Sequence, residues 1–335
     1  MDLLVTGGAG YIGSATARLL QERGHRVTVV DDLSEGHRAA WPGELAVLDL
    51  RRRSELRAFL EGRRFDGVLH FAARAYVGES VEQPERYWHA NLVPLIHLAE
   101  ALPGLPFVFS STCATYGLPR RLPLDEDHPQ EPVNPYGATK AACERLLRDR
   151  AAAGHGPCAL LRYFNACGAD PSGAHGEDHR PETHLLPRAL QAALGRLPEG
   201  DRLVVHGLDW DTPDGSCVRD WIHVLDLAEA HVRALEHLLE GGASGAWNLG
   251  TGRGHSVLEI LRAVEEAAGA AVPWEAGPRR PGDPPVLVAD PTRAARELGW
   301  EARHSRLEEI VGSALRWHRE HPEGYGPAGR GSPSG

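Results

Sequence analysis

Leu3-Leu4-Val5-Thr6-Gly7-Gly8-Ala9-Gly10-Tyr11-Ile12-Gly13 opens the chain as a short apolar run, a glycine-rich turn and the start of a helical pattern. Gly8, Gly10 and Gly13 fit the spacing GxGxxG, while Gly7, Gly10 and Gly13 fit GxxGxxG. Glycines at these points permit a tight turn and let the backbone approach a pyrophosphate resting on the helix N-terminus. The spacing alone is a weak signal; its strand–turn–helix context strengthens it. A second apolar run, Arg26–Asp31, ends on an acid 18 residues after Gly13. A carboxylate there accepts hydrogen bonds from an adenosine ribose and repels a 2′-phosphate, which predicts NAD rather than NADP.

Outward from this stretch, apolar runs at Leu3–Thr6, Arg26–Asp31, Leu45–Asp49, Gly67–Phe71, Phe107–Ser111 and Cys158–Tyr163 alternate with helical patterns at Ile12–Arg23, Ser54–Glu61, Leu92–Leu102 and Tyr136–Ala153. That alternation predicts an α/β fold, a Rossmann-type doubly wound parallel sheet. After about Ala166, Gly-, Pro- and His-rich loops interrupt helices at Leu185–Leu194, Leu225–Leu239 and Val257–Ala267, and the strand Leu203–His206 stands alone. The division expected is residues 1–165 for dinucleotide binding and 166–321 for a smaller mixed α/β substrate lobe, with the chain free to cross back. Residues 322–335, rich in Gly, Pro and Ser, read as a disordered tail.

A net charge of −10 over 335 residues argues against a phosphate-backbone binder, so no nucleic-acid partner is expected. No apolar run reaches membrane-spanning length and no signal-peptide pattern opens the chain, which makes the cytoplasm the default location. The five cysteines are scattered without a CxxC and read as reduced packing residues. His175, His179 and His184 lie in a Gly/Pro-rich loop at a spacing that matches no metal motif, so no metal site is expected.

Of 36 basic residues only Lys140 is a lysine. A chain so committed to arginine keeps a lysine where a compact ammonium does what a planar fork cannot. Tyr136 lies four positions upstream in Tyr136-Gly137-Ala138-Thr139-Lys140, on the same face of a helix that Asn134 caps and Pro135 begins.

Together these features resemble the extended short-chain dehydrogenase/reductase family, in its nucleotide-sugar epimerase branch, over about residues 2–325. Besides the glycine turn and the Tyr136/Lys140 pair, the resemblance is carried by Asp31-Asp32-Leu33, His70-Phe71-Ala72-Ala73, Val77-Gly78-Glu79-Ser80 and Ser110-Ser111-Thr112. More specific to the epimerases are Tyr163-Phe164-Asn165, Val218-Arg219-Asp220-Trp221-Ile222-His223-Val224 and Arg279-Arg280-Pro281-Gly282-Asp283. The resemblance implies Thr112, Tyr136 and Lys140 as the catalytic set. Around NAD it implies Gly7, Gly10, Tyr11, Ile12, Gly13, Asp31, Asp32, Leu33, Ser34, Glu35, Gly36, Asp49, Leu50, Phe71, Ala72, Ala73, Arg74, Ala75, Asn91 and Phe164, joined by the catalytic set. For a UDP-hexose it implies Thr112, Tyr136, Asn165, His184, Leu185, Val204, Val205, His206, Arg219, Arg280 and Asp283. The chain departs from many relatives at Asp32, where they carry Asn, and at Arg74-Ala75-Tyr76, where some place a lysine beside the cofactor.

The implied reaction interconverts UDP-glucose and UDP-galactose through a transient 4-keto sugar. Oxidising the C4 alcohol needs a base within hydrogen-bond reach of its hydroxyl. Bringing a tyrosine from ~10 toward ~7 takes about 4 kcal/mol, and an ammonium ~5 Å away at an effective dielectric of ~20 contributes about 3 kcal/mol. Lys140 is therefore expected to acidify Tyr136, aided by the positive nicotinamide ring, with Thr112 bridging the sugar hydroxyl and the phenol. Dehydratase and decarboxylase relatives carry carboxylates after the threonine; Cys113-Ala114 stand here instead. A cysteine beside the threonine also suits a keto-sugar epimerase/reductase, and a non-catalytic NAD-binding regulator is the reading from another class. N-acetylhexosamine and pentose substrates stay open, since Leu287, near the family's size gate, is of intermediate bulk. Leu92, Leu95, Ile96, Leu98 and Ala99 with Ala138, Ala141, Ala142 and Leu146 suggest an exposed two-helix seam, and in this family such helices pair into a homodimer.

Overall fold

The computed structural model describes residues 1–280 and 282–326. The first half runs β1 (Asp2–Thr6), α1 (Tyr11–Glu22), β2 (Arg26–Asp31), β3 (Leu45–Val47), α2 (Arg53–Leu60), β4 (Gly67–His70), α3 (Val77–Glu82), α4 (Pro84–Ala101), β5 (Phe107–Thr112), α5 (Pro135–Ala152) and β6 (Cys158–Tyr163). There follow β7 (Asn165–Cys167), α6 (Leu185–Ala193), β8 (Leu203–His206), β9 (Val218–His223), α7 (Val224–Leu239), β10 (Gly245–Leu249), β11 (Gly254–Ser256) and α8 (Val257–Ala268). β12 (Trp274–Gly277), β13 (Val286–Leu287), α9 (Thr292–Leu298) and α10 (Leu307–Glu320) complete the order.

Seven strands form one parallel sheet in the order β10-β6-β5-β4-β1-β2-β3. Successive strand residues point to opposite faces, and here both faces are buried. Leu3 and Val5 join the core beneath α1 and α7, whereas Leu4 joins Val30, Val68, Phe107 and Phe109 beneath α4 and α5. The strand order reverses at β1, whose neighbours are β2 and β4. Such a switch point leaves a crevice at the carboxyl ends of the strands, and the glycine turn opens into it. The chain returns to this sheet late: β10 pairs with β6, and α7 packs on α1.

The second lobe gathers α6, α8 and α10 around a separate core with Leu186, Leu190, Ile260, Val264, Ile310 and Leu315. A small sheet, β11-β9-β13 with β7 on β9, links it to the first. The strand Leu203–His206, expected to stand alone, pairs in parallel with Trp274–Gly277; that partner escaped notice because Trp274-Glu275-Ala276-Gly277 carries no apolar alternation. The helix expected at Leu92–Leu102 begins at Pro84, which occupies its first turn, where a missing N–H costs nothing. Residues 322–326, assigned to a disordered tail, are ordered. Tyr325 packs on Trp317 and His37, and its hydroxyl accepts from the Gly176 N–H. Residues 327–335 of that expectation lie outside the described residues.

Candidate active site

Three loops meet at the switch point. Gly7 has φ +72°, and a Cβ on it would lie 2.4 Å from the Ala72 nitrogen, so the turns after β1 and β4 touch backbone to backbone. A Cβ on Gly36 would lie 2.8 Å from the Ala9 carbonyl carbon, which brings the turn after β2 equally close. Asp31 ends β2 and is buried; its carboxylate accepts from the Ala9 N–H at 2.9 Å and the Leu33 N–H at 2.9 Å. Burial raises its pKa, with those two donors opposing. Arg74 bridges the rims, its guanidinium 2.9 Å from Glu35 and 3.3 Å from Glu79. α1 begins just after Gly10, which offers no side-chain cap, so its first-turn N–H groups are left to a ligand in the crevice.

The expected catalytic side chains come together on β5 and α5. Thr112 ends β5, and its hydroxyl accepts from the Ala114 N–H at 3.2 Å as the chain turns. Asn134 caps α5 by accepting from Gly137 at 2.8 Å. Gly137 lets the first turn of α5 lie on that loop, since a Cβ there would sit 2.4 Å from the Ala114 carbonyl oxygen. Tyr136 is thereby buried beside Thr112. Lys140, one turn on, is 3 % exposed; it donates to the Ser110 carbonyl at 2.8 Å and its ammonium lies 4.8 Å from the Phe109 ring centroid. Burial lowers the Lys140 pKa to about 8.

In the chain alone burial raises the Tyr136 pKa well above the ordinary value, with Tyr163 adding to the rise and the Thr112 hydroxyl opposing it; the expected acidification draws on the nicotinamide ring as well as on Lys140. Desolvation penalises the phenolate, and the Lys140 ammonium donates to the Ser110 carbonyl. Cys113 follows the same rule, its thiol pushed up to about 12 by burial, which suits a packing residue.

Asn91 on α4 locks the arrangement. Its amide donates to Thr139 on α5 at 3.0 Å and to the Arg74 carbonyl at 3.1 Å, and it accepts from the Arg74 N–H at 2.8 Å. Other expected cofactor residues divide. Ala73, Arg74 and Gly36 are half-buried, and Asp32, Ser34 and Ala75 are exposed at the crevice rim. Leu50 is buried in the core under α4, Ile12 and Phe71 pack on the opposite core, and the Asp49 carboxylate is held by Arg51. The Tyr11 side chain turns to the second lobe, donating to the Gly168 carbonyl at 2.5 Å and stacking on His175. Phe164 is buried with Tyr116, Leu124 and Ala289, against which Leu287 packs.

On the substrate side, Arg219 of β9 lies within electrostatic reach of Cys113, next to Thr112, and 3.8 Å from Asp283. Asn165 donates to the Asp220 carbonyl at 2.9 Å, and Arg280 is exposed. Val204 and His206 are half-buried, whereas Val205 points into the second core and has no free face for a ligand. His184 is also not free: its Nδ1 lies 2.9 Å from Glu177 and 3.0 Å from Glu182. Leu185 packs on the second core.

Glu144 and Arg162 were missed as site residues. Arg162, from β6, meets Glu144 at 2.6 Å with both side chains almost fully buried. Ser111 donates to the same carboxylate at 2.5 Å and Gln130 at 2.9 Å. The carboxylate thus joins β5, β6 and α5 directly beneath the Tyr136/Lys140 turn. A signal existed: Glu144 is four residues beyond Lys140, on the same helix face. Replacing Glu144 with alanine strands a buried guanidinium, and a destabilisation of about 3–5 kcal/mol is expected by urea denaturation. A loss below about 1 kcal/mol, the scale of an exposed pair, contradicts that role.

Fold and site together define a Rossmann-fold protein with a Tyr/Lys pair at the switch point of its sheet. The chain belongs to the NAD dependent epimerase/dehydratase family, whose model matches residues 3–250. It is similar to the UDP-glucose 4-epimerase of Halalkalibacterium halodurans, 46% identical over 329 residues that cover 97% of this chain and 98% of that protein. Among solved structures it resembles the Brucella ovis UDP-glucose 4-epimerase in complex with NAD, at 48% identity and TM-score 0.89, covering 94% of this chain and 98% of that one. The Bifidobacterium longum UDP-glucose 4-epimerase in complex with NAD+ and UDP gives 37% identity and TM-score 0.90 over 97% and 100%.

Proposed function

We propose that this protein is an NAD-dependent UDP-glucose 4-epimerase, an isomerase interconverting UDP-glucose and UDP-galactose. The observation that carries the reading is Tyr136 and Lys140 buried on one face of α5, with Thr112 beside the phenol, at the mouth of the dinucleotide crevice. The uncapped N-terminus of α1, the backbone contact at Gly7 and the acid at Asp31 fit NAD, and Asp31 to Gly36, Phe71 to Ala75 and Asn91 would surround it. Likeness to UDP-glucose 4-epimerases over almost the whole chain supports the substrate.

When bound, NAD would supply the acceptor, and on return the donor, of the C4 hydride. The chain's own residues manage the proton. The Tyr136 Oη takes it from the C4 hydroxyl as the C4–O bond becomes a carbonyl, and returns it to that oxygen when the alcohol re-forms. Lys140 holds positive charge near the phenolate. The Thr112 hydroxyl orients the sugar oxygen toward the phenol. Arg219 and Arg280 offer planar forks to the pyrophosphate, with Asn165, Val204, His206 and Asp283 nearby, so the nucleotide anchors while the hexose turns.

Purified enzyme is expected to convert UDP-galactose to UDP-glucose faster than it epimerises UDP-N-acetylgalactosamine or UDP-arabinose, followed by chromatography of the products. A 4-ketone accumulating as the product, or dinucleotide binding without turnover, sinks the assignment.

The association proposed is a homodimer through α4 and α5. Leu95 and Leu98 are removed from the expected seam, being buried in the core beneath the sheet. Leu92, Ile96, Ala99, Ala138, Ala141, Ala142 and Leu146 are half-buried and supply the apolar surface. Light scattering should give twice the 36.4 kDa chain mass; a monomer at micromolar concentration refutes it. Five free cysteines support a cytoplasmic location, where thiols stay reduced; no helix among the described residues is long and apolar enough to cross a membrane.

A further inference from the structure

The segment leading into α6 reads Glu177-Asp178-His179-Arg180-Pro181-Glu182-Thr183-His184, a Glu-x-His unit occurring twice. The loop folds the two units face to face. Glu177, His179, Glu182 and His184 each offer one ligand atom, and the four atoms lie within 4.8 Å of one another. His179 Nδ1 is 3.3 Å from Glu177 and 3.4 Å from Glu182. His184 Nδ1 is 2.9 Å from Glu177 and 3.0 Å from Glu182. In a tetrahedral zinc site with bonds of about 2.0–2.1 Å, neighbouring ligand atoms are roughly 3.3–3.4 Å apart. The four edges are close to that spacing.

Two further observations point to a cation. The Glu177 and Glu182 side chains are each only 6 % exposed, and both carboxylates face the same small space. His179 Nδ1 is aimed between them, 3.3 and 3.4 Å from the two carboxylates, without an aligned hydrogen bond to either. Two buried carboxylates facing one small space are costly unless positive charge sits among them.

We propose that Glu177, His179, Glu182 and His184 bind one divalent transition-metal ion, zinc before others, in a closed structural site. Two imidazole nitrogens with two carboxylate oxygens form a borderline donor set that suits zinc better than the all-oxygen cations. Four protein ligands leave no open position for chemistry, so the role is to hold the loop. What it holds is the junction of the lobes. The His179 ring stands edge-on to Tyr11, in the first turn of α1, and to Tyr76, beyond β4. The Glu177 carbonyl accepts from Trp317 of α10 at 3.2 Å. The ion pins the entry to α6 against the mouth of the crevice, and it revises the expectation of no metal. That expectation weighed the histidines alone; His175 stacks on Tyr11 instead, and the carboxylates between the other two complete the set.

The test uses the full chain, stripped with a chelator, reloaded with zinc, desalted and assayed by mass spectrometry for metal. Wild type and Tyr136→Phe are expected to retain one zinc per chain and to melt at a higher temperature when loaded. His184→Ala, at the most exposed ligand, is expected to retain little zinc and to lose the zinc-dependent melting shift while keeping its circular dichroism. Cobalt substituted into wild type, a readout independent of any variant, should give visible bands of a four-coordinate ion without a thiolate charge-transfer band. Zinc lost on desalting wild type, zinc held equally by a folded His184→Ala, or a thiolate band from cobalt overturns the proposal, leaving an imidazolium–carboxylate cluster in its place.

Discussion

Tyr136→Phe is expected to lower kcat by about 10³-fold or more while leaving the fold and dinucleotide binding intact. The variant removes one oxygen from a side chain that is buried beside Thr112. General acid–base catalysis by a placed group typically contributes about 10²–10⁴-fold, and this oxygen is asked to serve as base in one half-reaction and acid in the other. Neither partner substitutes for it. The Cys113 thiol is held up to about 12 by burial, and Lys140 is turned to the Ser110 carbonyl. At neutral pH the phenol is un-ionised in the folded and the unfolded chain alike, so its raised pKa costs no stability there and phenylalanine in its place is expected to leave the fold intact. Steady-state rates with UDP-galactose, with dinucleotide content measured on the same preparation, check this. Activity within tenfold of wild type moves the proton transfer to another group.

Lys140→Met is expected to abolish turnover and, unusually for a catalytic substitution, to stabilise the dinucleotide-stripped protein at neutral pH. The ammonium is buried, its pKa falls from 10.5 to about 8 through desolvation, and its one direct partner is a neutral carbonyl. For a base with a lowered folded pKa, the unfolded chain holds the extra proton between about pH 8 and 10.5. Stability therefore rises with pH across that window and carries the full penalty below it. The penalty is on the order of 3 kcal/mol, less about 1 kcal/mol for the hydrogen bond that methionine cannot make. The difference between variant and wild type should thus favour the variant at pH 7 and shrink toward zero above pH 10.5. Taking the difference cancels the other tyrosines and cysteines that titrate there. Lys140→Arg is not expected to rescue turnover, because a wide guanidinium has no room at a 3 % exposed position against Phe109. A variant less stable than wild type at pH 7 means that the ammonium is better compensated than its contacts indicate.

Much of this was legible along the chain, for reasons that are local. A glycine turn between a strand and a helix carries its own backbone requirement. A phenol and an ammonium four residues apart share a face once the helix exists, and Asn134-Pro135 marks where it begins. The parallel sheet followed from apolar runs too short for helices and buried on both faces, and the positions of Asp31 and Thr112 at strand ends followed from the sheet.

The remainder depended on distant segments meeting. Val205 faces a core because β8 lies against α6, which no reading of four residues reveals. Leu95 and Leu98 belong to the sheet rather than to a seam between copies, since one apolar helix face can satisfy only one partner. The acidity of Tyr136 could not be judged from spacing, because it turns on how much water the fold excludes and on where the Lys140 ammonium points. The glycine turn and the face on which the reactive pair stands could be read along the chain, because each is set by backbone geometry within a few residues. The Glu144–Arg162 pair beneath that face, and the folding of the loop that draws Glu177, His179, Glu182 and His184 together, come from packing in three dimensions. Buried charges reveal their partners only when the chain closes around them and water has gone.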